Sequence, residues 1–467
     1  MVSEGPKADE KSHAIAKILY GLLFVVTLPL FLVLFSVRVR IQLGIAPFPI
    51  PGGILTGGGV ILLLWGMWDL WRLGNGLPMN AFPPGKLVVG GIYAIVPHPI
   101  YCGFVLACLG VSLVVGSATG AFLTTPLVAA AAGALVLGYE RPYLLRTFGR
   151  LPRPLLGWSK LGRPVGAILR LDHLWAGVLR LTERLANSWS SRTIGSARVI
   201  NHAIFAGLAG GVGAFLVVLL SGREHIAAVT ALLLAGVVGA AVVGQLLVGS
   251  SKGLSRPFGY FGGLAGIVLA GLLLVPFDRS MVLVLAAFTF AGPWIQAIGR
   301  LRCIVQGCCH GAPCGEDPGI VVHNDHSRVA LAGLKGKAIY PTQLYSILGN
   351  AVIAAVLALL WSRGARLTLI GGLYLVLAGL VRFIEEGYRG EPLTRVIAKL
   401  RIYQWFAVGM VIAGSAVMMV DSPPAPRPGA VALAAAGGMG LAFFILCGCG
   451  MGVDFPNSQR RFSRLSG

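Results

Sequence analysis

Twelve apolar runs of membrane-span length divide this chain, near residues 15–37, 53–71, 100–117, 119–139, 199–220, 226–248, 258–276, 281–298, 342–361, 367–384, 402–420 and 429–450. A helix rises about 1.5 Å per residue, so roughly 20 apolar residues cross a hydrocarbon layer about 30 Å thick. No water in lipid satisfies a backbone N–H or C=O, so a spanning run must pair its own backbone and become a helix. The chain is 56% hydrophobic and 12% charged, about half the charge of an ordinary soluble domain. These features specify an all-α, polytopic integral membrane protein of about twelve transmembrane helices. The first run lacks a small-residue cleavage site, so it reads as a span and not as a cleavable signal peptide. A net charge of +21 in a soluble protein would point to nucleic acid. Here it belongs to Lys and Arg at membrane surfaces facing anionic head groups, and no nucleic-acid partner is expected.

Residues 141–198 break the pattern: they carry eleven Lys or Arg and no long apolar run. Within them, 168–186 reads as an amphipathic helix lying in the membrane plane, with a solvated basic loop as the alternative. The expected organisation is therefore two fused membrane domains, 1–150 and 199–420, joined by a basic linker at 151–198 and followed by a further helix and basic tail at 421–467. Counting spans alternately places the loops 73–99 and 299–341 on the side of the N-terminus. Only seven of the 38 basic residues, all Arg, fall on the opposite side. The positive-inside rule makes the first side cytoplasmic.

Chemistry concentrates at two places. The first is Asn75 to Gly103, which contains Gly91-Ile-Tyr93 and His98-Pro99-Ile-Tyr101-Cys-Gly103, followed two spans later by Tyr139-Glu140 and Phe148-Gly149. The second is the polar, thiol-rich stretch Gly299-Arg300-Leu301-Arg302-Cys303 to Cys308-Cys309-His310-Gly311, read as a loop between two spans. Ionisable groups near lipid are costly and usually mark a site. Four of the eight cysteines lie at 303–314, without the spacing of a secreted disulfide scaffold. Three readings of these thiols stand side by side. Cys308 acts as a nucleophile beside basic residues, with His310 as base. Alternatively, Cys303, Cys308, Cys309 and Cys314 hold a metal, although they match no standard zinc spacing. In the third reading the thiols are structural.

The first segment resembles the bacterial membrane methyltransferases related to isoprenylcysteine carboxyl methyltransferase and phospholipid methyltransferase. That family's pattern is G-x-Y-x-x-x-R-[HN]-P-x-Y-x-G, two spans, then Glu-Glu and Phe-Gly. Here the Arg is Pro97 and the second Glu is Arg141. The resemblance implies S-adenosylmethionine as cofactor, surrounded by His98, Tyr101, Gly103 and Glu140.

Residues 199–420 carry Gly262-Gly263, Gly299-Arg300-Leu301, Gln306-Gly307 with Gly311, Pro341-Thr342-Gln343-Leu344-Tyr345, and Arg382-x3-Glu386-x2-Arg389. In order and spacing these resemble prolipoprotein diacylglyceryl transferase. The resemblance implies a membrane lipid-modifying transferase that uses phosphatidylglycerol or a related anionic phospholipid and a lipid or lipoprotein acceptor, in a bacterial-type inner membrane. It also implies substrate contacts at Gly262, Gly263, Arg300, Gln343, Tyr345, Arg382 and Arg389, with catalysis at Arg300, Glu386 and Arg389; Cys308 and His310, standing where the chain departs from the family, are replacement catalytic candidates. Guanidinium suits a phosphodiester because it forms paired hydrogen bonds. Arg382, Glu386 and Arg389 share one helix face at i, i+4 and i+7, which lets Glu386 orient the arginines. Family residues are replaced at Phe261, Cys303, Cys308, Tyr340 and Ser346. Two alternatives remain: a methyltransferase of a lipid or prenyl-type substrate, with the second half as a lipid-binding scaffold, and a non-catalytic lipid or metal sensor.

Overall fold

The computed structural model describes residues 17–41, 43–74, 86–149, 171–248, 260–315, 317–391, 395–427, 432–458 and 465. Among these, nine helices are long and apolar enough to cross a membrane, and three shorter apolar helices join them. All twelve coincide with the twelve apolar runs, so the protein is an all-α, multi-pass membrane protein. The chain divides into two compact units, Met1–Asp172 and His173–Gly467.

The first unit contains α1 (Lys17–Arg38), α2 (Pro49–Gly74), α3 (Pro99–Val114) and α4 (Gly120–Phe148). Helices in lipid gain little from hydrophobic burial against one another and rely on close packing of small residues. The α2–α3 pair is built this way. A Cβ on Gly59 would lie 2.6 Å from the Gly103 carbonyl oxygen, and one on Gly103 would lie 2.5 Å from that of Gly59. Gly103→Val is therefore expected to force the pair apart and to cost about 1–3 kcal/mol, the usual penalty of overpacking. Thermal unfolding of the purified protein in detergent checks this against Gly57→Ala, where a Cβ meets nothing within 4 Å. Equal midpoints for the two variants would contradict the packing. Helix α4 contains two wide π turns, Gly120–Thr124 and Val136–Glu140. Such turns often accompany functional side chains, and the second ends on Glu140.

The second unit contains α5 (Leu171–Ala186, from His173 onward), α6 (Ala203–Ser221), α7 (Ile226–Val248), α8 (Tyr260–Leu274), α9 (Met281–Gln306), α10 (Thr342–Ser362), α11 (Leu367–Gly387), α12 (Ile402–Met418) and α13 (Ala432–Gly452). Among the described residues, seven short strands lie between these helices: β1 (Ser191–Ile194), β2 (Ala197–Ile200), β3 (Ile320–Val321), β4 (Ala338–Ile339), β5 (Val396–Ile397), β6 (Leu400–Arg401) and β7 (Val453–Asp454). β7 adds antiparallel to the β1–β2 hairpin, and the Arg198 guanidinium forks onto both oxygens of buried Asp454 at 2.9 and 2.8 Å. This strand pairing ties α13 to the start of α6. The two helices also pack through Gly207 and Gly211 of α6 against Phe444 of α13. The main core gathers Val217, Leu232, Val284, Ala287, Ile353, Leu357, Ile370 and Tyr374.

Of the expected linker, residues 151–170 lie outside the described residues. Helix α5 is amphipathic, as its sequence pattern predicts. Leu179 and Ala186 pack with Ile304, Ile320, Val322 and Val329, and Glu183 accepts a hydrogen bond from the Val321 backbone at 2.8 Å.

The stretch after 298, expected to be loop, is helical for another two turns. Helix α9 runs to Gln306 because Arg300, Ile304, Val305 and Gln306 are buried. It stops at Gly307, whose φ of +71° suits a residue without Cβ. Arg300 and Cys303 thus project from a rigid helix, and the true loop begins at Gly307.

Candidate active site

The C-terminal ends of α9 and α11 and the N-terminal ends of α10 and α12 meet around a buried charge cluster. Its centre is Glu385, 1% exposed. Glu385 Oε1 lies 3.0 Å from Arg300 Nη2, 3.0 Å from Arg382 Nη1 and 2.7 Å from Arg389 Nη2. Glu386 lies 2.8 Å from Arg382 Nη2 and 3.7 Å from Arg401 Nη1. Arg389 also faces Glu391 at 3.5 Å, and Arg401 Nη2 donates to the Arg389 carbonyl at 2.9 Å. The cluster thus holds four guanidiniums, Arg300, Arg382, Arg389 and Arg401, against three carboxylates, Glu385, Glu386 and Glu391. Among the described residues the guanidiniums outnumber the carboxylates by one, and the Cys309 thiol, beside Arg300 and Arg389, faces that excess in a low-dielectric pocket, where charge acts strongly. The Arg382 Nε–H is buried and has no hydrogen-bond partner among the described residues, and neither do the two Glu386 oxygens. The same guanidinium lies over the rings of Tyr403 and Phe261, 5.2 and 5.7 Å from their centroids, a cation–π arrangement that tolerates removal from water.

The sequence places Arg300, Arg382, Glu386 and Arg389 here, and the fold brings all four together. It misses Glu385 as the hub and Arg401 altogether. A signal for Glu385 exists, since it stands at i+3 from Arg382 and i−4 from Arg389. Nothing in the sequence joins Arg300 to it, 85 residues away. Ser346 takes part as well, accepting from Arg300 Nε at 3.1 Å.

The thiol loop is fastened to this cluster. Gln343 Nε2 donates to the Cys308 carbonyl at 2.9 Å, Thr342 Oγ1 to the Cys309 carbonyl at 2.7 Å, and the Cys309 N–H to Glu391 Oε1 at 2.8 Å. These bonds hold Cys309 at φ +58°, a conformation that costs a non-glycine residue energy. Gly311 allows the next close approach: a Cβ there would lie 2.1 Å from the Tyr340 carbonyl oxygen. The sulfurs of Cys303, Cys308 and Cys309 lie within 4.8 Å of one another. Hydrogen bonds from Cys303 and Cys308, then the charges of Arg389 and Arg300, hold the Cys309 thiol well below the usual thiol range. The hydrogen bonds to Cys303 and Cys309 push Cys308 upward.

The fold leaves some expected partners elsewhere. His310 is buried with Nδ1 3.0 Å from the Gly311 carbonyl and is not part of the thiol group. Cys314 is buried beside Gly319 and stands apart from the other three sulfurs. Gly262 packs α8 onto α7, where a Cβ would lie 2.3 Å from the Gly239 carbonyl oxygen, and Gly263 faces Ala240 on the same helix. Tyr345 meets Tyr388 edge-on at 6.0 Å.

In the first unit, His98, Tyr101 and Glu140 converge. His98 Nδ1 is 3.1 Å from Glu140, and the Tyr101 hydroxyl donates to the same carboxylate. His98 adopts φ +50° immediately before Pro99 begins α3. Gly103 serves the α2–α3 contact described above. Buried Asp69, which sequence reasoning missed, accepts from the Ile92 N–H at 2.7 Å and packs beneath Gly91. It thereby fixes the turn that leads to His98.

Residues 192–420 match the family described as prolipoprotein diacylglyceryl transferase, and residues 49–150 match phospholipid methyltransferase. A phosphatidylglycerol–prolipoprotein diacylglyceryl transferase of Clostridium tetani (strain Massachusetts / E88) is 29% identical over 126 residues, covering 27% of this chain and 48% of that protein. A second such enzyme, from Clostridium perfringens (strain 13 / Type A), is 27% identical over 154 residues, covering 33% of this chain and 56% of that protein. The chain therefore spans about half the length of these curated relatives.

Proposed function

We propose that the second unit is a lipid-modifying transferase that takes phosphatidylglycerol or a related anionic phospholipid, in a bacterial-type inner membrane. The observation that carries this reading is the surplus guanidinium charge around Glu385, together with the unpartnered Arg382 Nε–H. A phosphodiester brings one negative charge and acceptor oxygens, which suit the guanidiniums of Arg300, Arg382 and Arg389. Negative charge grows on the glycerol phosphate as it leaves the diacylglyceryl carbon. Cations already fixed in place favour that transition state without reorganising. The acceptor is a nucleophile on a lipid or lipoprotein. The test is incubation of purified protein with radiolabelled phosphatidylglycerol and separately with labelled phosphatidylcholine, in membranes supplying acceptors. Label should move from the anionic lipid only. Equal transfer from both, or from neither, would remove the reading.

The first unit fits a methyl-transfer role with S-adenosylmethionine as cofactor. Glu140, already accepting from Tyr101, has the acceptor capacity to hold the cofactor's amino or ribose hydroxyl groups, and the Tyr101 ring offers a π face to a sulfonium. When bound, the cofactor supplies an electrophilic methyl group. His98, Tyr101 and Glu140 position it against the acceptor, and positioning is most of what methyl transfer needs. Glu140→Gln is expected to lower incorporation of labelled methyl into membrane lipid at least tenfold, read by thin-layer chromatography. Unchanged labelling would contradict the assignment.

A further inference from the structure

The phosphate-holding role proposed for the arginines leaves the three sulfurs beside them unused. They come from two places, Cys303 on the last turn of α9 and Cys308-Cys309 just beyond the Gly307 stop, and lie within 4.8 Å of one another. Three features show that they are built to stay together. Cys309 is held at a positive φ that a non-glycine residue adopts only under constraint. Gln343, Thr342 and Glu391, from two other segments, fasten the backbone of Cys308 and Cys309 by three hydrogen bonds. Cys303 is fixed by the helix that also carries Arg300 into the Glu385 cluster. All three cysteines are partly buried.

We propose that Cys303, Cys308 and Cys309 form a preorganised three-sulfur site for Cu(I). A metal–thiolate bond is about 2.3 Å, which in a trigonal arrangement sets the sulfurs about 4.0 Å apart. That is within the observed separation. Thiolate sulfur selects soft cations, Cu(I) foremost among the biological ones. Structural zinc calls for four ligands, and among the described residues no His, Asp, Glu or fourth Cys joins this group. Binding would fix the loop that carries Gly311 and His310 over the arginine cluster. The metal would therefore order the wall of the site whether or not that site transfers lipid.

The test uses the full-length protein, purified anaerobically in detergent with a non-thiol reductant and titrated with Cu(I) buffered by bathocuproine disulfonate. One equivalent of Cu(I) per chain is expected to resist the chelator, with thiolate-to-metal absorption in the near ultraviolet. Cys303→Ser, Cys308→Ser and Cys309→Ser should each weaken retention at least tenfold, while Cys449→Ser, an exposed thiol on α13, should leave it unchanged. Cu(I) should also raise the unfolding midpoint of the wild type, with the logarithm of its free concentration, and not that of Cys309→Ser. Each variant is first compared with wild type by gel filtration, and Cys309→Ala replaces any that fails to stay monodisperse. Retention unaffected by all three substitutions, or tight Zn(II) binding with Cu(I) bound no better than in the variants, overturns the proposal. So does a disulfide among these cysteines in protein trapped by alkylation directly from cells, which assigns the cluster to redox chemistry.

Discussion

Glu385→Gln is expected to destabilise the second unit by about 3–5 kcal/mol, the cost of leaving buried charge uncompensated. Glu385 is nearly inaccessible and its Oε1 lies within 3.0 Å of three different guanidiniums. Gln keeps the shape but only one acceptor oxygen, so the substitution removes the charge and turns an amide NH₂ toward a guanidinium. Arg300, Arg382 and Arg389 would then repel one another around a neutral amide, with Glu386 compensating mainly Arg382. Thermal or denaturant unfolding in detergent measures the loss. A second change sharpens the result: adding Arg300→Met to Glu385→Gln removes one of the stranded cations and should recover part of the stability, a coupling that independent sites do not show. A wild-type midpoint for Glu385→Gln would mean that Glu385 is not the hub of this cluster.

The fold was largely legible because lipid leaves a spanning segment few options. Backbone pairing makes every apolar run a helix, and run length sets most bounds to within about a turn; α4 and α9 run on to Phe148 and Gln306, well past 139 and 298. Errors arise where that constraint lapses. Arg300 to Gln306 is polar and was read as loop, yet it continues α9 because its buried face packs against other elements. The β1–β2–β7 sheet lies outside the spans, where two or three residues of pairing leave no periodic signal. Gly262, Gly263 and Gly103 illustrate a different difficulty. A glycine that admits a ligand and a glycine that admits a neighbouring helix look identical in sequence, and these three face helices. In the charge cluster the i, i+4, i+7 spacing of Arg382, Glu386 and Arg389 was readable along one helix. The contact of Arg300 with Glu385 depends on how α9 crosses α11, which spacing does not encode. The three thiols show the same division: Cys308 and Cys309 are adjacent in sequence, but the hydrogen bonds from Thr342 and Gln343 that aim them are tertiary.

Arg300→Ala and Arg389→Ala are expected to lower diacylglyceryl transfer from phosphatidylglycerol by about 10²–10³-fold each, the range for losing one preorganised donor to developing negative charge. The two arginines approach Glu385 from different helices, α9 and the end of α11, so a phosphate bound between them is held from two sides. Losing either should appear mainly in kcat, because the charge they meet grows in the transition state; a larger KM with unchanged kcat would signify ground-state binding alone. Lysine separates charge from shape. Arg389→Lys keeps a cation near Glu385 and should preserve the folded unit, but it gives up the planar fork and should recover only part of the lost rate. Measuring unfolding on the same preparations excludes collapse of the cluster as the cause. If both alanine variants turn over at the wild-type rate while remaining folded, the arginines serve only to neutralise Glu385 and Glu386, and the phosphate must be bound elsewhere.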